Sequence, residues 1–433
     1  MEATFRLILN PTAVWQRLRT SKFATDAGKA LASQVVGRAI AFFASAYAMR
    51  SLGPKELGVG AFILSVVAQM AVLGDLGLNI SGVRGLGNLP ERRNETISLV
   101  WGLRLRAAMG LSALTLLGAW LFGLTGGIGL WFLATPVLVL TVLNPQWIFQ
   151  GMEHITSFNV VQFTQTLITA GMYFALFRPG VGAALYITVA LIAQALSWAL
   201  AYCLLRRHIK VEWHSFDWHN VWKMVWDSRH AFAIALTVSV YTGLDIVLIT
   251  FLLSPEKAGL YRAAQGITGV ITPILSVAGL IIYPRLIAWK NSSLQEFVRR
   301  AVTLALILMG VAIVIDFGAI LTVPIIFHAL LGPGFEAGIV PCVLLFVARG
   351  FTLVGAVPAW GLLAYKLDSK QLMISLSAAL LSVTLNFLLI PRFGIAASAS
   401  VNLLSELIIF VSSAVALYKF TSASRAGFQG RAG

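Results

Sequence analysis

The chain has 433 residues, of which 58% are hydrophobic and only 11% are charged, and its formal net charge is +15. A soluble domain carries about 25% charged residues, so this composition is typical of a membrane protein and argues against an ordinary soluble enzyme. The positive charge does not predict nucleic-acid binding, because the cytoplasmic loops of membrane proteins are also rich in lysine and arginine.

The N-terminal region, residues 1–27, is basic and contains no recognisable cleavable signal peptide. Its apolar residues include Phe5, Leu9 and Trp15, which a helix could place toward lipid. We expect residues 5–22 to form a cytoplasmic interfacial amphipathic segment, with a disordered basic tail as the alternative.

Apolar runs of membrane-spanning length follow from Gly28 to Tyr418. A helix needs about 20 residues to cross the hydrocarbon of a bilayer, so these runs predict an all-α polytopic membrane protein with twelve transmembrane helices. The predicted spans are residues 28–49, 57–80, 97–122, 129–150, 158–177, 181–205, 230–253, 258–284, 301–326, 337–364, 370–390 and 394–418.

The basic residues are distributed unevenly among the predicted loops. If the N-terminus is cytoplasmic, the cytoplasmic segments hold 22 of the 32 Lys and Arg residues, and the opposite loops hold five. Cytoplasmic loops carry an excess of basic residues, so we predict that both termini, including the tail 419–433, are cytoplasmic.

A polar linker at residues 206–229 divides the spans into an N-terminal bundle, 28–205, and a C-terminal bundle, 230–418. Trp218, Trp222 and Trp226 recur every four residues within it and would share one helical face. We therefore predict an amphipathic helix at the cytoplasmic interface that joins the two bundles.

Weak internal similarity relates the two halves of the chain. Arg50–Gly60 and Leu253–Tyr261 each contain a Pro, a Lys/Glu pair and a Gly, and each follows the first span of its half. Arg178–Ala184 and Pro391–Ala397 each precede the last span of their half. Two six-span repeats are typical of transporters whose binding site lies at the repeat interface.

Arg38 and Arg349 lie near the middle of apolar runs. A cation at a bilayer centre costs about 2.5–3.5 kcal/mol on insertion scales, so such residues usually face a bundle interior or a watery cavity. This pattern suggests a protein that moves something anionic through the membrane. The alternative is a structural pair with an acid such as Glu406.

Acidic residues also lie within the predicted spans. Asp245 and Glu406 are the candidates for coupling transport to protons or sodium ions, and a fixed ion pair with an interior arginine is the alternative for each. Five polar residues of the spans would hydrogen-bond either sugar hydroxyls or neighbouring helices, and the sequence does not choose between these roles; they are Gln150, Gln162, Gln165, Asn386 and Asn402.

Several short segments occur in a familiar order along the chain. They are Leu52–Gly58, Asp75–Leu78 with Arg84, Trp147–Glu153, Asp245, Ala258–Ala264 and Asn386–Gly394. In this order and spacing, the chain resembles the polysaccharide flippases of the multidrug/oligosaccharidyl-lipid/polysaccharide (MOP) superfamily.

This resemblance implies two six-helix bundles that form a V around a central cavity. It implies a flippase that moves polyprenyl-diphosphate-linked oligosaccharide repeat units from the inner to the outer leaflet of the bacterial cytoplasmic membrane by alternating access. The units would then enter lipopolysaccharide, capsule or exopolysaccharide assembly. The resemblance also implies coupling to a proton or sodium gradient.

The expected substrate carries a diphosphate, and Arg side chains bind phosphate oxygens bidentately. The candidate substrate-binding residues are Arg38, Arg84, Arg104, Arg262 and Arg349. Arg262 resembles a cavity arginine of related lipid-carrier flippases, and Arg84 and Arg104 would lie near the cytoplasmic mouth. The alternative for Arg104 is a side chain that reaches the cytoplasmic interface.

No Walker loop, nucleophile elbow or Cys/His metal spacing occurs in the sequence, so we expect neither an enzyme nor a bound cofactor or metal. The expected partners are the lipid-linked oligosaccharide and the membrane, with further contacts to a polysaccharide polymerase and glycosyltransferases. One alternative is a multidrug/cation antiporter of the same superfamily. Another is a sugar-chain polymerase or ligase, which would need a larger external loop than any here.

Overall fold

The computed structural model describes residues 22–88, 93–206, 218–290 and 294–429. Across these ranges the regular structure is helical, and they contain no β-strand. A backbone in hydrocarbon has no water to hydrogen-bond, so a helix, which bonds its own amides and carbonyls, is the structure that such apolar runs adopt. The prediction of an all-α polytopic membrane protein is confirmed.

The first half of the described chain folds into seven helices joined mostly by short turns. These are α1 (Lys22–Asp75), α2 (Leu78–Asn88), α3 (Arg93–Leu121), α4 (Gly127–Val142), α5 (Gln146–Gly151), α6 (Ile155–Leu176) and α7 (Ala183–Leu205).

The second half of the described chain contains eight helices. These are α8 (Trp218–Gly243), α9 (Asp245–Leu252), α10 (Pro255–Thr268), α11 (Thr272–Lys290), α12 (Leu294–Ile326), α13 (Ile339–Ala364), α14 (Asp368–Phe393) and α15 (Ile395–Gln429). Short helical turns at Gly269–Ile271, Phe327–Leu331 and Glu336–Gly338 connect some of them.

Helix α1 is broken at Gly53, whose φ of 71° and ψ of 168° are not helical. Before the break, the Tyr47 hydroxyl donates to the carbonyl of Phe177 (3.0 Å) at the end of α6. After the break, the Glu56 carboxylate accepts from the amide of Ala183 (2.9 Å) at the start of α7. Because α6 and α7 are antiparallel neighbours joined by a short loop, the two parts of α1 beside them also form an antiparallel hairpin.

Among the described residues, eight helices are long and apolar enough to cross a membrane, or nine if the bent pair Phe232–Gly243 and Asp245–Leu252 forms one span. One of the eight, Val36–Asp75, covers most of both of the first two predicted spans. A straight helix of its 40 residues would be about 60 Å long, roughly twice the hydrocarbon thickness.

The predicted spans 158–177 and 258–284 coincide with α6 and with α10–α11, although neither is among these eight helices. Each of the twelve predicted spans therefore coincides with a helix, part of α1 or a bent series of helices.

The buried apolar side chains show how the two halves are joined. At the end of the molecule that contains Gly53, hereafter the Gly53 end, one core includes Phe62 and Trp131 from the first half and Tyr261 and Phe346 from the second. Toward the opposite end, separate cores form around Trp147 in the first half and Phe297 in the second. The halves therefore share one core at the Gly53 end and have separate cores toward the opposite end. There α8 still contacts the first half, because a Cβ atom at Gly77 would overlap the backbone of Phe232.

Two glycines bring the halves into backbone contact at the Gly53 end. A Cβ atom at Gly58 would overlap the carbonyl of Pro255, and a Cβ atom at Gly259 would overlap the carbonyl of Pro54. The two Pro-x-x-x-Gly segments thus pack on one another reciprocally, as expected for small residues at a close helix crossing. These segments belong to the pair whose internal similarity the sequence showed.

Helix α8 contains part of the predicted linker and continues without interruption into the seventh predicted span. The Ser228 hydroxyl donates to Ser81 of α2 (2.7 Å), and Ser239 donates to Gln69 of α1 (2.5 Å). Trp222 and Trp226 of α8 are exposed, as an interfacial position requires. The interfacial role and the division at 206–229 stay predictions, since residues 207–217 lie outside the described ranges.

The N-terminal segment 1–21 and residues 430–433 also lie outside the described ranges, so the interfacial segment at 5–22 and the end of the cytoplasmic tail stay predictions. Within the predicted tail, α15 continues as a helix to Gln429.

Candidate functional site: a polar cavity between the two halves

A cavity of about 760 Å³ lies between the halves and is bounded by the first part of α1, by α6 and by α10. Its polar lining residues are Arg38, Ser45, Asn144, Gln146, Asn159, Gln162, Gln165, Thr166, Thr169, Tyr173, Tyr186, Arg262 and Gln265. Small and apolar residues of α1, among them Ala41, Ala44 and Ala48, complete the wall.

Two of the five predicted substrate-binding arginines, Arg38 and Arg262, line this cavity. Neither has a salt bridge to another described residue, and the lining contains no aspartate or glutamate. Arg38 is exposed and Arg262 is partly buried. The cavity therefore offers two positive charges that no lining carboxylate neutralises.

The two arginines lie at different depths. Gly37, next to Arg38, approaches the ring of Phe163 on α6, whereas Arg262 is close enough to Tyr173 for an electrostatic interaction. Phe163 and Tyr173 are ten residues apart, which corresponds to about 15 Å along a helix. Arg262 is therefore nearer the Gly53 end, where the halves close.

Helix α6 supplies the polar wall between these two depths. Asn159, Gln162, Thr166, Thr169 and Tyr173 all line the cavity. Their spacing alternates between three and four residues, which places them on one face of the helix. We call these five residues the α6 polar stripe.

Arg104 does not line the cavity. Its guanidinium forms an ion pair with Asp75, donates to Asn79 (3.1 Å) and lies 5.5 Å from the ring centroid of Trp147. The Arg104 side chain is 1% exposed. It therefore neither reaches the aqueous interface, which was the alternative drawn from the sequence, nor faces the cavity. Its role in substrate binding stays a prediction without support from the geometry.

Arg349 also lies away from the cavity lining. Its guanidinium is 4.0 Å from the carboxylate of the buried Glu406. The neighbouring Gly350 packs against the Asp316 carboxylate, one oxygen of which is buried without a hydrogen-bond partner. The pairing of Arg349 with Glu406, which the sequence left open, is thus present in the structure, and a role of Arg349 in binding stays a prediction.

Arg84 belongs to α2, but its side chain lies outside the described part of the structure. Its predicted contact with an incoming diphosphate therefore stays a prediction.

Asp245 is buried at the start of α9, at the bend that follows α8. Its carboxylate accepts from the Tyr261 hydroxyl (2.7 Å) and from the Asn386 amide (3.5 Å). The amide oxygen of Asn386 is itself buried without a hydrogen-bond donor among the described residues. This cluster lies within the second half. It contains the carboxylate oxygens of Asp245 and the amide oxygen of Asn386, which would interact favourably with a small cation or a proton.

The profile of the family described as polysaccharide biosynthesis protein matches residues 24–290, more than half of the chain. The chain belongs to the polysaccharide biosynthesis protein family. The resemblance stated from the sequence is confirmed.

A curated relative from Escherichia coli (strain K12), named Putative O-antigen transporter, is 21% identical over 383 residues, which cover 84% of this chain and 89% of the relative. The fold resembles that of the lipid II flippase MurJ in an inward closed conformation, with a TM-score of 0.70 at 12% identity over 89% of this chain and 86% of that one.

An inward-facing multidrug resistance MATE family transporter of the MOP superfamily gives a TM-score of 0.66 at 13% identity, over 90% of this chain and 96% of that one. At these identities the two solved structures establish the fold. The twelve-helix V of the MOP superfamily is therefore the architecture of this chain.

Most of the cavity wall was not predicted from the sequence. Gln162 and Gln165 were among the polar residues whose role the sequence left open, whereas Asn159, Thr166, Thr169 and Gln265 were not among the candidates. The available signal was the alternating spacing of polar residues within an otherwise apolar helix. That pattern indicates a helix with one face away from lipid.

Proposed function

We propose that this protein is a flippase that moves polyprenyl-diphosphate-linked oligosaccharides from the cytoplasmic to the outer leaflet by alternating access. The observation that carries the proposal is the pair of cavity arginines, Arg38 and Arg262, in a lining without carboxylates. A diphosphate leaving water loses its hydration, and an arginine fork replaces it with charge-assisted hydrogen bonds.

The similarity of the chain to known proteins supports the same substrate class. Its family is described as polysaccharide biosynthesis protein, a relative is named as an O-antigen transporter, and a protein of the same fold is a lipid II flippase. A transport function of this kind needs no enzymatic site, and we propose that the chain is not an enzyme.

The V shape suggests the route. The halves are closed at the Gly53 end, which the distribution of basic residues predicts to be the outer side of the membrane. The cavity would then receive the sugar diphosphate from the cytoplasm while the polyprenyl tail stays in lipid. Reversal of the V would release the headgroup outside. The lipid-linked substrate and the membrane are the partners that this route requires.

A charge-selectivity experiment tests the proposal against the cation-antiporter alternative. The purified protein is reconstituted into liposomes with either a fluorescent polyprenyl-diphosphate N-acetylglucosamine or the organic cation ethidium. We expect translocation of the anionic lipid above the rate in empty liposomes, and no uptake of ethidium. Uptake of ethidium without movement of the lipid would overturn the proposal, because the cavity would then favour cations.

We further propose that Asp245 couples transport to a proton or sodium gradient, with Glu406 as a second candidate held by Arg349. Asp245→Asn keeps the size of the side chain and removes its charge. We expect this variant to translocate the lipid at a rate that no longer responds to an imposed proton or sodium gradient. An unchanged response in both Asp245→Asn and Glu406→Gln would remove these residues as coupling sites.

A further inference from the structure

The α6 polar stripe lies in a helix whose environment would otherwise favour apolar residues. Polar side chains inside a membrane are retained where they face a cavity or a partner. Gln165, next to the stripe, has such a partner, because its amide donates to Gln194 of α7 (2.7 Å). The other described contacts of the stripe leave hydrogen-bond donors and acceptors that face the cavity. Packing between helices therefore does not by itself explain why these residues are polar.

The chemistry of the stripe is neutral and rich in hydroxyl and amide groups. Thr166 donates to the carbonyl of Gln162 (3.1 Å) and Thr169 to that of Gln165 (2.9 Å), so each threonine oxygen keeps acceptor capacity. The Gln162 amide is 3.5 Å from Gln146, a long contact that a ligand hydroxyl can replace. Sugar hydroxyls both donate and accept, and they match such groups.

The stripe also lies at the right place for a sugar. It extends from Asn159, four residues before the level of Arg38 at Phe163, to Tyr173 at the level of Arg262, and these two levels are about 15 Å apart along α6. A diphosphate held by either arginine would leave the attached sugars beside the stripe. The stacked rings of Tyr173 and Tyr186, with centroids 6.2 Å apart and planes at 14°, close the deep end.

We infer that the α6 polar stripe is the specificity surface of this protein, and that it recognises the sugar hydroxyls of the headgroup while the arginines hold the diphosphate. This inference rests on the proposed function. A site built to hydrogen-bond a hydroxyl discriminates strongly, because a ligand without that hydroxyl leaves the polar groups of the site unpaired.

The test compares the affinities of two kinds of probe for the purified protein. Farnesyl diphosphate carries the diphosphate without a sugar, and polyprenyl diphosphates bearing one, two or three sugars form the second kind. The stripe variant combines Gln162→Met, Thr166→Val and Thr169→Val, which preserve side-chain size. The matched control is Thr384→Val, an exposed threonine of α14 whose hydroxyl donates to its own helix.

In the wild type we expect at least one sugar-bearing probe to bind more tightly than farnesyl diphosphate. In the stripe variant the ratio of these two affinities should fall by about tenfold, since two or three hydrogen bonds are lost. The Thr384→Val control should keep the wild-type ratio. A normal thermal melting temperature of the stripe variant shows that it is folded.

Two outcomes would overturn the inference: a wild type that does not distinguish sugar-bearing probes from farnesyl diphosphate, or a stripe variant that retains the wild-type ratio. Failure of the proposed function looks different. In that case neither kind of probe binds the wild type, or binding is indifferent to replacement of Arg38 and Arg262 by glutamine.

Discussion

At the residue scale, pairing decides which arginines are available to a ligand. Arg104 is buried against Asp75, Asn79 and Trp147, and Arg349 is beside Glu406, whereas Arg38 and Arg262 face the cavity without a described carboxylate partner. A cation already neutralised by an acid gains less from a phosphate, since binding must first displace its partner. The geometry therefore leaves Arg38 and Arg262 available for binding, whereas Arg104 and Arg349 are paired with acids. The side chain of the fifth candidate, Arg84, is outside the described structure.

The buried pair of Arg104 and Asp75 gives a test of this division. Asp75→Asn should destabilise the protein by about 3–5 kcal/mol, because Arg104 remains buried without its counter-charge. Thermal unfolding in detergent measures this loss. The double variant Asp75→Leu with Arg104→Met should recover most of the stability and retain binding of farnesyl diphosphate. Loss of that binding in a stable double variant would instead assign Arg104 to the substrate site.

At the element scale, the decisive contact is the glycine crossing between the two Pro-x-x-x-Gly segments. Gly58 and Gly259 let α1 and α10 approach until each glycine touches the backbone of the other half. Because the two segments are related repeats, the contact lies where a two-fold pseudo-symmetry would place it. This crossing joins the halves at the Gly53 end, whereas toward the opposite end the first half is contacted by α8.

Substitution at the crossing should open the Gly53 end. Gly58→Ala combined with Gly259→Ala forces the two helices apart, since each new methyl group overlaps a proline carbonyl. Spin labels at Lys55→Cys and Lys257→Cys, both exposed, report the distance in a background without the free Cys203 and Cys342. We expect a longer distance in the double variant.

The matched control for this experiment is Gly118→Ala on α3, where an added methyl group meets no neighbour. Its distance distribution should equal that of the wild type. A double variant at Gly58 and Gly259 with the same unchanged distribution would show that the crossing does not hold the two halves together.

Much of the helical architecture was predictable from the sequence, because continuous apolar runs have few alternatives to a helix in lipid. Helix α6 and the α10–α11 pair also coincide with predicted spans, although neither is among the eight helices that meet the length and hydropathy criteria for a span. The hairpin at Gly53 was predicted as a loop between spans, and it proves to be a single-residue break. The continuity of the end of the predicted linker with the seventh span was not predicted, since the spacing of Trp218, Trp222 and Trp226 also fits a separate interfacial helix.

The candidate site was less predictable. The central position of Arg38 in an apolar run was enough to make it a candidate. The same criterion could not decide whether Arg349 faces a cavity or pairs with Glu406, because pairing depends on how distant helices pack. Arg262 came from the family resemblance. Thr166 and Thr169 carry little signal individually, since threonines occur commonly in membrane helices, where their hydroxyls bond to the preceding turn.

At the scale of the whole molecule, the account requires a defined orientation in the membrane. The excess of basic residues on one side predicts that the Gly53 end is outside and that both termini are inside. The basic residues are spread over many loops, so the expected orientation would not change if one loop lay on the other side of the membrane. In the opposite orientation the cavity would open toward the outer leaflet and could not receive a substrate from the cytoplasmic leaflet.

Cysteine labelling in spheroplasts tests the orientation. A membrane-impermeant maleimide should label Lys55→Cys, which lies at the Gly53 end, in intact spheroplasts. Lys370→Cys, an exposed residue near the start of α14, should be labelled only after permeabilisation. The reverse pattern would show that the cavity opens outward and that the proposed direction of transport is wrong.

The most direct test of the central claim is the rate at which reconstituted protein translocates a polyprenyl-diphosphate N-acetylglucosamine when the cavity arginines are removed. Arg38→Gln with Arg262→Gln should lower the rate at least about tenfold, since charge-assisted hydrogen bonds to phosphate contribute about 1.5–3 kcal/mol each. Arg178→Gln, an exposed arginine outside the cavity lining that contacts nearby carbonyls, is the matched control and should keep the wild-type rate. A folded double variant that translocates the lipid as fast as this control would contradict the account.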